Sequence, residues 1–313
     1  MREAERMETL GGRLLEALNG NGYRGRIISL ERLRELQAEI ERLREDGLID
    51  RAFFESTYAW LEYNAVGRLP DARSVIIAAM PQRTFNLSFL WKGETRLVTL
   101  PPTYAFYDAD QRAQALIEEV LRPEGRTVAM IQPPLKLLAV RSGLSLYGRN
   151  NLTYVDGMGS FNRLVAWVSD LEAEADSWQE ARRMPECDHC RRCLDACPTG
   201  CILSERRLVN AKTCLTNLNE SDTPFPSWVD GSWHNALVGC MACQSVCPKN
   251  KPFLQPETWP DSFDEDETAL LLSEPAVEGL PRKTWESLRN LSMLGYYKAG
   301  VIQRNLKILL ERA

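Results

Sequence analysis

The fold of the second half of this chain is decided by the stretch Cys187-Asp-His-Cys190-Arg-Arg-Cys193-Leu-Asp-Ala-Cys197-Pro198. Its spacing is C-x2-C-x2-C-x3-C-P, in which three thiolates at short intervals wrap a loop around one face of a 4Fe–4S cubane. The amides of such a loop can point at the sulfurs and tune the reduction potential. The proline turns the chain toward a second cluster, which the fourth cysteine ligates in two-cluster proteins. The spacing therefore predicts iron–sulfur ligation.

A second run, Cys240-Met-Ala-Cys243-Gln-Ser-Val-Cys247-Pro248, repeats the pattern with one internal cysteine missing. The solitary Cys214 can supply that ligand from outside the run. The sequence therefore predicts two 4Fe–4S clusters with four cysteines each. The first cluster takes Cys187, Cys190, Cys193 and Cys247, and the second takes Cys197, Cys214, Cys240 and Cys243.

The remaining cysteine, Cys201, is expected to be a packing residue, because a small apolar residue would serve equally well there. Structural zinc and free thiols are the alternatives, but zinc sites use paired C-x2-C knuckles and have no need of the longer run. His189 is expected to be a solvated loop residue rather than a ligand or proton relay. All nine cysteines lie between residues 187 and 247, which is typical of metal ligation rather than a disulfide scaffold.

The overall composition limits the function classes. The chain has 38 Lys and Arg against 43 Asp and Glu, a net charge of −5, which does not favour a broad grip on a phosphate backbone. Only two histidines occur, so a multi-histidine metal site is nearly excluded. No apolar run reaches the roughly 18 residues of a membrane span, and the N-terminus lacks a signal-peptide core. We therefore expect a cytoplasmic protein without a membrane partner.

The region before the cysteines predicts an α/β layer domain. Apolar residues from Ile28 to Leu43 recur at helical spacing, so the first fifty residues are expected to be helical. Further on, short apolar runs bounded by proline or glycine alternate with helical patterns. Strands are expected at residues 74–80, 96–100 and 127–131, and helices at residues 110–121 and 135–141.

We therefore predict an α+β protein in three parts. Residues 1–180 form a layered α/β domain, 181–255 a helical, bacterial-ferredoxin-like two-cluster domain, and 256–313 a C-terminal loop and helical tail. The acidic, proline-rich stretch from Pro252 to Asp266 is predicted to be a loop, and the pattern of residues 284–313 predicts a helix.

Four stretches resemble the epoxyqueuosine reductases, the cobalamin- and iron–sulfur-dependent enzymes that complete queuosine in transfer RNA. The resemblance to reductive dehalogenases is more distant. The resemblance covers most of residues 65–255 and is weak in the Gln303-Arg304-Asn305 tail. The stretches are Leu69–Ile76, Ala139–Asn150, Gly159–Phe161 with Ser169–Glu172, and the cysteine block with Cys214.

This resemblance implies that the N-terminal domain binds a base-off cobalamin in addition to the two clusters. Glycines in the implied walls would admit close approach to a large flat ligand, although an ordinary glycine-capped helix end is the alternative. Arg149 stands where the family has a lysine and could hold a phosphate or carboxylate, or be a solvated arginine. The implied cofactor-binding residues are Gly143, Leu144, Tyr147, Gly148, Arg149, Asn150, Gly159, Ser160 and Phe161.

The chain departs from the family at the proton donor. The matching stretch, Val128-Ala-Met-Ile-Gln-Pro-Pro-Leu135, has no acid where the family has its catalytic aspartate. A tyrosine can donate a proton to a developing anion, so Tyr104, Tyr107 and Tyr147 are the candidate catalytic residues. For each of them, core packing is the alternative.

The expected partners follow from these departures. The chain ends where the family continues into a helical-repeat domain associated with transfer RNA, and with the acidic net charge this makes tRNA an unexpected partner. The main hypothesis is a corrinoid and iron–sulfur oxidoreductase, fed by a ferredoxin or flavodoxin. It would reduce a small organic substrate, or process a corrinoid or activate a corrinoid protein. The alternatives are an epoxyqueuosine reductase acting on tRNA and a plain two-cluster electron carrier.

Overall fold

The computed structural model describes residues 9–105, 108–174, 176–205, 208–273 and 276–311. It confirms a mixed α+β protein and divides into two compact units. The first unit contains Met1–Pro81 and Asp108–His189, and the second contains Gln82–Tyr107 and Cys190–Ala313. The predicted boundaries at residues 180 and 255 stay a prediction.

The α-helices of the described residues alternate with strands through the first half of the chain. They are α1 (Leu10–Gly20), α2 (Arg32–Glu45), α3 (Arg51–Thr57), α4 (Ala109–Leu121), α5 (Leu135–Arg141), α6 (Arg192–Asp195), α7 (Leu215–Glu220), α8 (Ala242–Ser245), α9 (Glu265–Leu272), α10 (Arg282–Asn290), α11 (Leu294–Lys298) and α12 (Val301–Leu310). Short 3-10 helices cover Arg122–Glu124, Pro185–Cys187, Ala211–Thr213, Gly231–Trp233, Pro248–Phe253 and Val277–Gly279.

The strands of the described residues form three sheets. They are β1 (Arg24–Ser29), β2 (Ser74–Pro81), β3 (Phe85–Trp91), β4 (Glu94–Leu100), β5 (Val128–Ile131), β6 (Leu146–Tyr147), β7 (Thr153–Tyr154), β8 (Asn162–Ser169) and β9 (Glu257–Phe263).

The first unit is built on an antiparallel sheet of order β1-β2-β8-β5. Residues 74–80 of the inner strand β2 are all buried, which is why this stretch reads as a continuous apolar run rather than an alternating one. Helices α2 and α5 contribute Leu33, Leu36 and Leu138 to the same core. The predicted strands at 74–80 and 127–131 and the helices at 110–121 and 135–141 are confirmed to within a residue or two.

The predicted helix across residues 28–43 is wrong at its start. Arg24–Ser29 is a strand whose Ile27 pairs with Ile76, and α2 begins only at Arg32. The apolar positions of the strand and the helix happen to continue one helical period. The two β-branched residues, Ile27 and Ile28, are the local signal for a strand.

The second unit combines a three-stranded sheet of order β4-β3-β9 with the C-terminal helices. Its core includes Phe89, Leu288 and Leu306, and the Phe89 ring stacks on Phe263 with centroids 4.7 Å apart. The prediction of a loop from Pro252 to Asp266 is wrong, because Glu257–Phe263 pairs in parallel with β3. This edge strand contains a proline and pairs irregularly, so its sequence carries little strand signal.

Among the described residues, none of the helices combines the length and the apolar composition that a membrane-spanning helix requires.

Candidate iron–sulfur centre

The four cysteines predicted for the second cluster all belong to the second unit. Cys214 immediately precedes α7, and the amides of Thr216 and Asn217 in the first turn of that helix donate hydrogen bonds to its sulfur. Such donors are what a helix start offers to a negative ligand. The short helices of the two cysteine runs, α6 and α8, pack against each other.

The sulfur of Cys240 is also held by hydrogen bonds. The backbone N of Ala242 lies 3.4 Å from Cys240 Sγ, and Asn235 Nδ2 lies 3.3 Å from it. Asn235 is itself fixed, because its Oδ1 accepts from the Met241 amide at 2.7 Å. Burial raises the pKa of Cys240, and these donors oppose that rise. The arrangement suits a thiolate whose charge is shared with a metal cluster.

Cys201 was expected only to pack, and it is indeed buried. Its Sγ lies 3.5 Å from Cys197 Sγ, and it also bonds to Cys214. These contacts lower the pKa of Cys197 to about 5 and that of Cys214 to about 6. Thiolates are the form that binds iron. The ninth thiol therefore touches two predicted ligands, which spacing alone could not reveal.

Cys187 lies at the end of a 3-10 helix in the first unit, where its main chain is held by Arg149. Arg149 is 8% exposed, and its Nη2 donates to the Cys187 carbonyl at 2.5 Å. The segment before Cys187 pairs with β6, since the Met184 amide donates to the Tyr147 carbonyl at 2.8 Å. The alternative of a solvated arginine is therefore wrong, because Arg149 binds the protein's own backbone.

The cysteine set fits two iron–sulfur clusters. None of the nine cysteines forms a disulfide. Within the described ranges, no group of three or more His, Cys, Asp or Glu side chains converges on a single ion. The two clusters are supported instead by the spacing of the eight predicted ligands.

The candidate tyrosines have different surroundings. The Tyr104 hydroxyl, in the second unit, donates to Glu220, and burial together with this carboxylate raises the pKa of Tyr104 well above its ordinary value. A methyl group on Gly239 would lie 2.5 Å from the same hydroxyl, so Tyr104 packs directly on the turn before Cys240. Tyr147, in the first unit, is buried. Tyr107 lies outside the described residues.

The turn predicted to contact a corrinoid, Gly143–Asn150, is largely explained by its own packing. Gly143 has a φ of +72° and ends α5, its amide donating to the Val140 carbonyl at 3.1 Å. A side chain at Gly148 would lie 2.4 Å from the Tyr154 ring. The absent side chains at both glycines are thus required by the protein itself.

The second implied segment, Gly159–Phe161, is similarly self-contained. Asn162 Nδ2 donates to the carbonyls of Thr153 and Gly159 at 3.1 and 3.0 Å, which fixes the loop. Most side chains of the two implied segments are buried. They are Leu144, Tyr147, Arg149, Asn150, Ser160 and Phe161.

Two polar atoms in the same region lack a partner. Ser145 Oγ and Asn151 Oδ1 are buried without a hydrogen bond, and Asn151 has a strained φ of +59°. Buried polar atoms are normally satisfied, so these two fit a ligand that offers hydrogen-bonding groups, as the amides of a corrinoid do. Neither residue is among the cofactor-binding residues implied by the sequence.

The loop that follows β5 contains no acidic residue, but the carboxylate of Glu62, from another segment, contacts it at Gln132. The Glu62 amide donates to the Gln132 carbonyl at 2.9 Å, and Glu62 Oε2 accepts from the Gln132 amide at 2.9 Å. A hydrogen bond from Arg68 lowers the pKa of Glu62. Glu62 therefore stays ionised at neutral pH and holds the loop in place.

The sequence is similar to that of known iron–sulfur proteins. Residues 186–250 match the family model of a 4Fe-4S double cluster binding domain. The chain is 28% identical over 206 residues to an epoxyqueuosine reductase of Bacillus subtilis, covering 62% of this chain and 52% of that protein. It is 30% identical over 206 residues to one of Cyclobacterium marinum, covering 64% and 62%. Over these stretches the chain is similar in sequence to the epoxyqueuosine reductases.

The fold of the chain is similar to that of solved structures. A crystal structure of epoxyqueuosine reductase with an epoxyqueuosine-modified tRNA-Tyr stem loop matches with a TM-score of 0.67 at 19% identity. The match covers 99% of this chain and 82% of the other. The sequence matches, by contrast, span only about half to three fifths of the curated relatives.

The expectation that tRNA is not a partner is wrong. The relatives found by sequence are named epoxyqueuosine reductases, and a structure of the same fold holds a modified tRNA stem loop. The expectation depended on the missing helical-repeat region and on a net charge of −5. The charge of a whole chain does not describe the local surface that meets a nucleic acid.

Proposed function

We propose that this chain is an iron–sulfur oxidoreductase that reduces the epoxide of epoxyqueuosine in tRNA. The observation that carries the proposal is the extent of the similarity to proteins of that name. The aligned 206 residues greatly exceed the double cluster domain at residues 186–250, so the similarity reaches well beyond the clusters. A plain electron carrier would need only the cluster domain.

The electron count suits two clusters. Removing an epoxide oxygen as water breaks both carbon–oxygen bonds, forms a carbon–carbon double bond, and consumes two electrons and two protons. Each 4Fe–4S cluster carries one electron at a time, so the pair can supply both electrons from a low-potential donor such as a ferredoxin or flavodoxin.

The protons require a group that remains protonated until the oxygen develops charge. Tyr104 is such a group, because burial and Glu220 raise its pKa well above the ordinary value. Glu62, with its lowered pKa, is not. We keep Tyr104, Tyr107 and Tyr147 as candidate donors, to be separated by single replacements with phenylalanine.

The test uses anaerobically reconstituted protein, a chemical reductant and a tRNA stem loop that carries epoxyqueuosine. Mass spectrometry of the digested RNA is expected to show a nucleoside that has lost one oxygen atom. A Cys214→Ala variant is the matched control and should leave the nucleoside unchanged. Intact epoxyqueuosine, both with and without added cobalamin and in a sample whose clusters are shown by EPR to be reduced, would reject the proposal. Corrinoid processing or electron carriage would then be the better account.

A bound cobalamin is the second part of the proposal, and the unpartnered Ser145 and Asn151 favour it. These side chains and the backbone of the Gly143–Asn150 turn would hold the group. When bound, it would supply a cobalt centre that accepts electrons from the clusters and acts as the reductant. Arg149 would contribute indirectly, because its guanidinium fixes the backbone at Cys187.

EPR spectroscopy with cob(II)alamin tests this second part. A bound, base-off cofactor is expected to lose the nitrogen superhyperfine splitting that its own benzimidazole causes. Ser145→Ala should weaken binding, whereas Ser204→Ala, an exposed serine in the second unit, should not. A spectrum identical to that of the free cofactor, with no co-elution on gel filtration, would remove cobalamin from the mechanism.

A further inference from the structure

We propose that α12 is part of the binding site of the second cluster. Asn305, with Arg304 beside it, acts as a positioning residue for the two chain segments that carry Cys214 and Cys240. This inference depends on the predicted ligand set and not on the substrate, so it goes beyond the proposed function. The three-residue tail Gln303-Arg304-Asn305 carries almost no sequence signal for such a role.

Asn305 joins the two segments directly. Its side chain is fully buried, and Nδ2 donates to the carbonyl of Asn219 at 2.9 Å and to the carbonyl of Leu237 at 2.8 Å. Asn219 belongs to α7, the helix that begins directly after Cys214. Leu237 lies in the turn that leads to Cys240. One amide group therefore spans both ligand-bearing segments.

Asn219 continues the connection. It is also fully buried, and its Nδ2 donates to the Gly239 carbonyl at 2.7 Å and to the Ala236 carbonyl at 3.3 Å. Gly239 has a φ of +74° and directly precedes Cys240. The position of the Cys240 sulfur is thus tied through Asn219 to α7 and through Asn305 to α12.

Arg304 holds the far end of α7. Its Nη2 donates to the carbonyls of Leu218 and Asn219 at 3.3 and 3.1 Å, and its Nη1 donates to the Thr223 carbonyl. The guanidinium also lies 3.9 Å from the centre of the Phe225 ring. A cation at a helix C-terminus satisfies carbonyls that the helix leaves open and complements its dipole.

This network has a consequence for the cluster because amide positions set the cluster's properties. Hydrogen bonds from the first turn of α7 reach Cys214, and one from the Ala242 amide reaches Cys240. Reduction potentials of iron–sulfur clusters depend on hydrogen bonds to sulfur. Removing the Asn305 amide deprives the buried Leu237 carbonyl of its donor and breaks the link to Asn219, whose carbonyl keeps only Arg304. Both segments are therefore expected to relax, which shifts the reduction potential of the second cluster and not that of the first.

The experiment compares Asn305→Leu with Lys307→Met, which changes an exposed residue on the same helix. Both variants are reconstituted anaerobically as full-length protein, and EPR-monitored redox titrations follow each cluster. A Cys214→Ala sample supplies the spectrum of the first cluster by itself. Asn305→Leu is expected to shift the midpoint potential of the second cluster, or to lose its signal, with the first cluster unchanged. Lys307→Met should change neither.

A lower unfolding temperature with both potentials unchanged would overturn the proposal and leave Asn305 a purely structural residue. Loss of both signals together would do the same, since it indicates general unfolding. Arg304→Met is the second variant and covers the case in which Asn305→Leu fails to fold. It removes contacts at only one end of α7. The proposal therefore requires the midpoint potential of the second cluster to shift in the same direction as in Asn305→Leu, but by less.

Discussion

Two segments of the chain differ in how well their ligand can be predicted from the sequence. They are the cysteine segment, residues 187–247, and the glycine segment, residues 143–161. Thiolate ligands must be cysteines at short, fixed intervals, so the spacing alone predicts iron–sulfur clusters. The match of residues 186–250 to a 4Fe-4S double cluster binding domain confirms this prediction. In the glycine segment, by contrast, the space beside Gly148 is filled by the protein's own Tyr154 ring.

The difference follows from the kind of ligand. A cluster is held by covalent bonds to named atoms, whereas a large flat cofactor is held by shape, backbone groups and a few hydrogen bonds. A glycine that admits a ligand and a glycine that admits a neighbouring ring look the same in a sequence. Only the structure separates them, and it directs attention from Gly148 to Ser145 and Asn151.

The largest expected effect comes from Cys214→Ala, which tests the ligand set of the cysteine segment. Since each cubane needs four thiolates, we expect the second cluster to be lost and the iron content to fall from about eight to about four atoms per chain. Iron analysis and EPR measure this directly. Full iron content in the variant would mean that another thiol replaces Cys214, and Cys201, which is hydrogen-bonded to Cys214, is the first candidate.

A smaller effect is expected from Gly148→Ala, which tests the glycine segment. The added methyl group would meet the Tyr154 ring at 2.4 Å, so overpacking should destabilise the first unit by about 1–3 kcal/mol. Gly67→Ala is the control, because nothing lies within 4 Å of a side chain there. Urea unfolding followed by tryptophan fluorescence measures both. A stable Gly148→Ala protein that fails to bind cob(II)alamin would instead assign this glycine to the ligand.

A subtler change within the cysteine segment is Cys201→Ala. Both clusters should remain, because Cys201 is not a predicted ligand. The potential of the second cluster should fall, since a thiol that donates to Cys197 stabilises the more negative reduced state. An EPR-monitored titration measures the shift, and Cys201→Ser, which keeps a donor, should restore part of it. Loss of about four irons would contradict the packing assignment.

The sequence predicted elements whose signal is local and missed those that depend on distant partners. Residues 74–80 read correctly as a strand because every one of them is buried. Residues 257–263 did not, because their strand exists only through parallel pairing with β3. The same limit applies to the site, where the ligand cysteines are spaced along the chain but Asn305 reaches Asn219 only in the folded unit.

The smallest expected effect concerns Glu62, which supplies the carboxylate that the loop after β5 lacks. Because Arg68 lowers its pKa below the ordinary 4.5, the folded state favours the ionised form. Its contribution is therefore complete above that value and is lost only as the pH falls through the lowered pKa. Glu62→Gln should cost less than about 1 kcal/mol, equally at pH 8 and pH 5.5, because the pair is partly exposed. Urea midpoints at the two pH values measure this cost. Glu286→Gln is the control, because the ion pair with Arg282 that it removes is on the surface and should contribute almost nothing.

A cost that shrinks between pH 8 and pH 5.5 would show that the pKa of Glu62 is raised rather than lowered. Glu62 could then act as a proton donor at the loop that matches the aspartate position of the epoxyqueuosine reductases. The first unit would then contribute a candidate catalytic residue from outside the glycine segment.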